Sequence, residues 1–173
     1  ADLAEERPVS SWPYDFPDAA LWALTHDGDP RAYALAARHY TFHRYLDGRR
    51  DRDGYRNRRL FVRPREKLVL LTRDVQALFV WRKFLSRDGQ TGVNCALFRN
   101  EGAYCGEVKS SRLILSAEVW AWARWPGERL YTYVDARRVR STNPGFCYLA
   151  AGWRKCGATK VRKLIIFEKW PGG

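Results

Sequence analysis

Two histidines and one aspartate are the residues of this chain best suited to proton chemistry. His39 and His43 stand four apart in a stretch whose pattern predicts a helix, so they share one face. Asp135 follows the alternating stretch Leu130–Val134, which reads as a central strand. It therefore sits just past a strand's C-terminal end, where α/β-type sheets place functional groups. An imidazole near a carboxylate makes a general base with a fixed tautomer. Two imidazoles and a carboxylate also make the facial set that holds non-haem iron. A second kind of site is written into Arg99–Ser111. There a strand, a loop with Gly102 and Gly106, and Ser110-Ser111 at a helix start aim backbone N–H groups at an anion, with Lys109 and Arg112 nearby. A cofactor pyrophosphate suits such a site.

The elements that must position these groups follow from the pattern. Ala1–Phe16 reads as an irregular arm containing SWPYDFP, and residues 17–173 as the folded domain. Pro17–His26 predicts a helix stopped near Gly28. Asp29-Pro30, an N-cap followed by a first-turn proline, opens a second helix that runs to about Leu46, where Asp47-Gly48 ends it. Gly48–Arg59 has no apolar period and reads as an exposed loop. Strands are expected at Leu68–Thr72, Ala77–Phe84 and Val93–Arg99, with a short one at Leu60–Arg63. Leu113, Ala117, Trp120 and Ala121 form one apolar helical face, terminated by Trp125-Pro126-Gly127. A short helix lies between Asn143-Pro144 and Gly152, and a last strand at Leu164–Glu168. The fold class is α+β in a single domain.

Bulk properties narrow the partners. The chain has 173 residues and a formal net charge of +12, with arginine well ahead of lysine. Arginine makes bidentate phosphate contacts, so a polyanion, nucleic acid above all, is the expected partner. The basic loop offers Arg49, Arg50, Arg52, Arg56, Arg58 and Arg59 for phosphates and Tyr55 for stacking. Tyr40, Trp81 and Tyr104 are further candidate stacking rings. Four cysteines without a CxxC pair predict reduced, buried thiols rather than zinc or disulfides. With no secretory-type leader and no apolar run of membrane-spanning length, a soluble intracellular protein is expected.

The stretch YLAAGW at 148–153 resembles the GNAT acyltransferase superfamily, whose last helix typically ends in a tyrosine, three residues and Gly-Phe. The order of strand, helix, strand, short helix and final strand from 93 onward is similar to that family's C-terminal half. The resemblance implies a single GNAT-like domain with a central mixed, mostly antiparallel sheet flanked by helices. It also implies acetyl-CoA or another acyl-CoA in a gap between the strands at 93–99 and 130–134, and Tyr148 as proton donor to the departing thiolate. Two features depart from the pattern. GAYCGEVKSS replaces the family's Gly-x-Gly or Gly-x-Ala phosphate loop, and a clear strand ahead of the first helices is missing.

A narrower similarity covers roughly residues 31 to 168. RHY at 38–40, FRNEG at 98–102, TYVD at 132–135 and STNPGFCYLAAGW at 141–153 resemble the Mom-type DNA-modification proteins of bacteriophages, which place an acetamido-type group on adenine N6. It implies double-stranded DNA as the partner, and His39, Tyr40, Asp135 and Arg99 as active-site residues beside Tyr148. Cofactor contacts are expected at Gly106, Lys109, Ser110, Ser111, Arg112, Ser141 and Asn143. Iron, on His39, His43 and Asp135, is a further cofactor so implied, as is action in the cytoplasm of a bacterial host on behalf of a phage or prophage, against restriction. Adenine N6 is conjugated into its ring and is a poor nucleophile, and the base must leave the duplex to be reached. Two other readings therefore stand beside this one: an N-acetyltransferase for an ordinary amine, and a GNAT-shaped nucleic-acid-binding protein without enzymatic activity.

Overall fold

Alternate residues of the central strands divide between two cores. Leu70, Phe79, Trp81 and Val93 bury against one set of neighbours, and Val69, Leu71, Leu78 and Val80 against another. The computed structural model describes residues 18–40, 60–139 and 142–172. The arm and the basic loop Gly48–Arg59, with all seven of its candidate contacts, lie outside those residues, as do His43 and Ser141. Within them a 3₁₀ turn at Asp18–Leu21 leads to β1 (Trp22–Thr25) and α1 (Pro30–Ala37). Then come β2 (Glu66–Thr72), β3 (Ala77–Lys83), β4 (Val93–Asn100), α2 (Ser110–Arg124) and β5 (Leu130–Val134). The short α3 (Phe146–Ala150), β6 (Arg154–Ala158) and β7 (Ile165–Lys169) complete the order.

The seven strands form one mixed sheet in the order β1-β2-β3-β4-β5-β7-β6. Every neighbouring pair is antiparallel except β4 and β5, which run parallel. The architecture is α+β, as expected. Helix α2 covers one face through Leu113, Ile114, Ala117 and Ala121, and α1 covers the other through Ala32, Leu35 and Ala36.

Several sequence expectations are corrected. The helix expected over Pro17–His26 is not found in its described part: Asp18–Leu21 is a 3₁₀ turn and Trp22–Thr25 is β1, paired with β2 from Trp22↔Thr72 to Thr25↔Val69. Trp22 decides this, because its ring packs edge-on against Phe79 and its Nε1 donates to the Leu113 carbonyl at 3.0 Å. Tertiary burial there overrides local propensity. The strand thought to be missing ahead of the first helix is thus present. Helix α1 opens as expected on Asp29, whose carboxylate accepts from the Arg31 amide at 2.9 Å, but it ends at Ala37 rather than Leu46. Arg38 caps it and forms a two-pronged ion pair with Glu101 at 2.7 and 2.8 Å, turning the chain toward β4. His39 therefore lies beyond the helix, and the shared helical face proposed for His39 and His43 does not hold for it. Leu60–Arg63 is not a strand either. The Asp27 carboxylate accepts from the Phe61 and Val62 amides at 2.8 and 3.3 Å, so a side chain replaces the ladder.

Two further differences lie near the C-terminal end. Helix α3 begins at Phe146 with Gly145, not Asn143, as its N-cap. The edge strand β6 went unforeseen, since RKCGA is charged and glycine-bearing.

Candidate active site

The opening that defines the site is made by one extra residue. Val80 and Trp81 are consecutive on β3, yet they pair with Leu97 and Cys95 on β4, so Ala96 is bulged out of the ladder. A bulge bends its strand and sharpens the local twist. On the other side of β4, pairing with β5 runs only from Val93↔Leu130 to Cys95↔Thr132 and stops where the bulge begins. Beyond that point the strands separate. A cavity of about 170 Å³ lies in the gap, walled by Cys95–Phe98, Thr132–Val134, His39, Tyr40, Val139, Gly145, Cys147 and Tyr148.

Tyr148 closes the apolar side of this cavity. It is 7% exposed, with its ring near Trp153 (5.1 Å between centroids) and Phe167 (6.0 Å). Its hydroxyl lies 3.5 Å from the Cys95 Sγ. Burial raises the phenol well above its ordinary value, and burial also pushes the Cys95 thiol up to about 12. Both therefore keep their protons at neutral pH. The geometry of α3 sets the ring: Trp153 N donates to the Tyr148 carbonyl at 2.9 Å, and Gly152 (φ 85°) ends the helix as expected. Gly145 starts it at φ 80°, where an added Cβ would stand 2.4 Å from the Phe167 ring. Only glycine fits there.

A second buried anchor holds the same helix. Glu118 of α2 accepts from Lys169 Nζ at 2.9 and 3.1 Å and from Trp153 Nε1 at 2.7 Å, while Lys169 Nζ also donates to the Ala151 carbonyl at 2.8 Å. Burial pushes the Glu118 carboxyl up, against the pull of Lys169.

His39 and Tyr40 form the opposite wall, their rings stacked at 4.4 Å. Burial, with the Arg99 charge acting in the same direction, lowers the His39 pKa to about 4, so the imidazole is neutral at pH 7. Arg99 is half-buried on β4 and engages Glu101, which Arg38 also clamps. The Arg38 hydrogen bonds, with a smaller contribution from Arg99, hold the Glu101 carboxyl at about 2. Asp135 is buried and accepts from the Arg137 amide at 3.1 Å, and its carboxylate lies 3.7 Å from Arg138 Nε. Its carbonyl also accepts from the Arg138 and Val139 amides, so it orders the turn after β5. Arg138 in turn donates to the Tyr40 carbonyl at 3.3 Å. The charge that weighs on His39 is that of Arg99, whereas Asp135 borders Tyr40.

The remaining expected residues are placed as follows. Gly106, Lys109, Ser110, Ser111 and Arg112 lead into and begin α2, at the sheet end where β4 stops, with Asn100 Nδ2 donating to Ser110 Oγ at 3.1 Å. They are not among the residues walling the cavity. Asn143 is exposed, its carbonyl accepting from the Phe146 amide. Trp81 and Tyr104 are not stacking platforms. Both are buried, with Trp81 Nε1 donating to the Ala117 carbonyl and the Tyr104 hydroxyl to the Leu21 carbonyl. Among the described residues no group of three His, Cys, Asp or Glu side chains stands close enough to hold a metal. Cysteine burial is mixed: Cys95 is buried and Cys147 half-buried, but Cys105 and Cys156 are exposed. Cys95, Thr132, Cys147 and Gly145 were missed as site residues. Only Gly145, in the NPG step, left a trace in the sequence.

Compared with protein-family models, curated proteins and solved structures, the chain matches none. No described helix is long and apolar enough to cross a membrane.

Proposed function

We propose that this chain is a GNAT-like transferase that draws an acyl-type group from an acyl-CoA and places it on a base amine in DNA, with adenine N6 as the acceptor. The observation that carries the reading is the gap opened at Ala96 between two parallel strands, with a protonated tyrosine hydroxyl in its wall. The fit to an acyl-CoA arm is physical. Past Cys95↔Thr132 the facing edges of β4 and β5 no longer pair with each other, and an extended amide-bearing chain completes such edges by strand-like hydrogen bonding. A cavity near 170 Å³ is below the usual range for a whole ligand, so it suits the reacting ends of two substrates rather than a complete cofactor.

A bound acyl-CoA supplies an activated carbonyl and a thiolate leaving group. Tyr148 keeps its proton until a developing thiolate can take it. His39, neutral at pH 7, accepts a proton from the attacking amine. Arg137 and Arg138 hold Asp135, and Arg138 ties that turn to Tyr40, so the mouth keeps its shape. The DNA assignment is supported by the net charge of +12 and by the residue-level resemblance at 38–40, 98–102, 132–135 and 141–153.

The test is mass spectrometry of nucleosides from DNA of cells expressing the protein. A new adenine adduct is expected, reduced about 10²-fold or more by Tyr148→Phe, the scale of a lost general acid. Unmodified nucleosides with the wild-type chain would sink the reading.

A further inference from the structure

The hairpin joining β6 to β7 ends in Thr159-Lys160-Val161-Arg162-Lys163-Leu164, a tip that carries three cations and no carboxylate. Its ends are tied by the Thr159 amide donating to the Leu164 carbonyl at 2.9 Å and the Leu164 amide to Thr159 Oγ1 at 2.9 Å. Between those ties the chain stands in solvent: Val161 at the apex is 92% exposed, and Lys160, Arg162 and Lys163 are exposed too. None of the three cations forms an ion pair with a described residue. That sets the tip apart from the cations around the cavity, where Arg38, Arg99, Arg137 and Arg138 each engage a carboxylate.

Topology puts this tip at the open end of the gap. Strands β4 and β5 are parallel, so the end where they separate is also the end where β5 finishes. The β5–β7 register pairs Val134 with Ile165, which brings the start of β7, and hence the tip, to that same end. A direct contact confirms the proximity: Arg137 Nη2 donates to the Arg162 carbonyl at 3.1 Å. Arg137, itself 72% exposed, and Arg138 then connect the tip to Tyr40 in the cavity wall. The result is a cationic ledge of Arg137, Arg138, Lys160, Arg162 and Lys163 running from the cavity mouth to the hairpin apex.

We infer that the β6–β7 tip is a nucleic-acid contact, with Lys160, Arg162 and Lys163 on the phosphates flanking the nucleotide presented to the cavity. The inference deepens the reading above and rests on DNA being the substrate. A duplex whose base is drawn into a pocket must have its backbone held on either side of that pocket, and unpaired cations beside the mouth are placed for it. A membrane surface is the poorer fit, because the tip exposes a single apolar side chain rather than an apolar face.

The experiment compares the full chain with its Lys160→Gln/Arg162→Gln/Lys163→Gln variant on a short fluorescent DNA duplex, across a salt series. Each phosphate contact contributes about 0.9 to the slope of log K against log salt, so the variant's slope should be shallower by roughly two to three. Its affinity at moderate salt should fall about tenfold or more on the same basis. The three single variants should each lose about one unit or less of slope, which guards against a global change in the triple. A slope and affinity equal to wild type would overturn the inference. So would a wild-type chain that fails to bind the duplex, or a tip that governs binding to phosphatidylserine vesicles instead. Nucleoside mass spectrometry reads the modification separately. An adduct formed with tip-independent DNA binding leaves the enzyme reading standing and removes this one. Tip-dependent binding with no adduct does the reverse.

Discussion

An imidazole held neutral in a buried wall makes stability depend on pH at a single residue. His39 has a folded pKa of about 4 against an ordinary value of 6.5, so between those values the unfolded chain binds a proton that the folded chain does not. Stability contributed by the neutral form is therefore full above pH 6.5 and lost as pH falls toward 4. Taken from pH 7 to 4.5, wild type should lose about 2–3 kcal/mol more than His39→Gln, read by urea unfolding at both values. Equal losses would show that His39 is not the buried neutral group described. Glu101, held down at about 2, loses its contribution only at lower pH, so the difference between the two chains isolates the histidine. Of the residues chosen for their chemistry, Tyr148, His39 and Tyr40 do meet in one cavity. Cys95 and Thr132 were not legible, because their importance comes from standing at the last ladder pair before the gap. Side-chain type says nothing of that.

At the scale of elements, the C-terminal short helix is the part most tightly specified. Its start needs a left-handed residue without a Cβ, and Gly145 supplies one; Asn143-Pro144 marks the region in the sequence but puts the cap two residues early. Gly145→Ala must accept both a positive φ and a contact at 2.4 Å with the Phe167 ring. The expected cost is about 2–3 kcal/mol of stability, with loss of any Tyr148-dependent activity. Thermal unfolding of the variant within a degree of wild type would contradict the geometry. The elements that went wrong share a physical cause. Strand β1 is four residues long, too short to show a period, and Trp22 is fixed by partners 57 and 91 positions away. Strand β6 is a charged edge. The end of α1 is set by Arg38 reaching Glu101, and the bulge at Ala96 exists only in relation to β3. Each depends on long-range partners, and local pattern cannot report them.

For the molecule as a whole, the sheet is two antiparallel groups, β1–β4 and β5-β7-β6, joined by a single parallel pairing of three residues on each side. The buried Glu118–Lys169 pair spans that division from the α2 side, binding the helix that follows β4 to the last strand and to the end of α3. Removing one partner leaves an uncompensated buried charge. Lys169→Met should therefore cost about 3–5 kcal/mol, and adding Glu118→Gln should recover part of it. A Lys169→Met chain as stable as wild type in urea would show the pair to be dispensable. The three-pair junction also has a consequence for motion. Parting the two groups would break only those few ladder bonds within the sheet, but it would also stretch the Glu118–Lys169 pair that bridges them. The seam that opens room beside Ala96 is thus also the sheet's thinnest joint, and a buried ion pair is left to brace it.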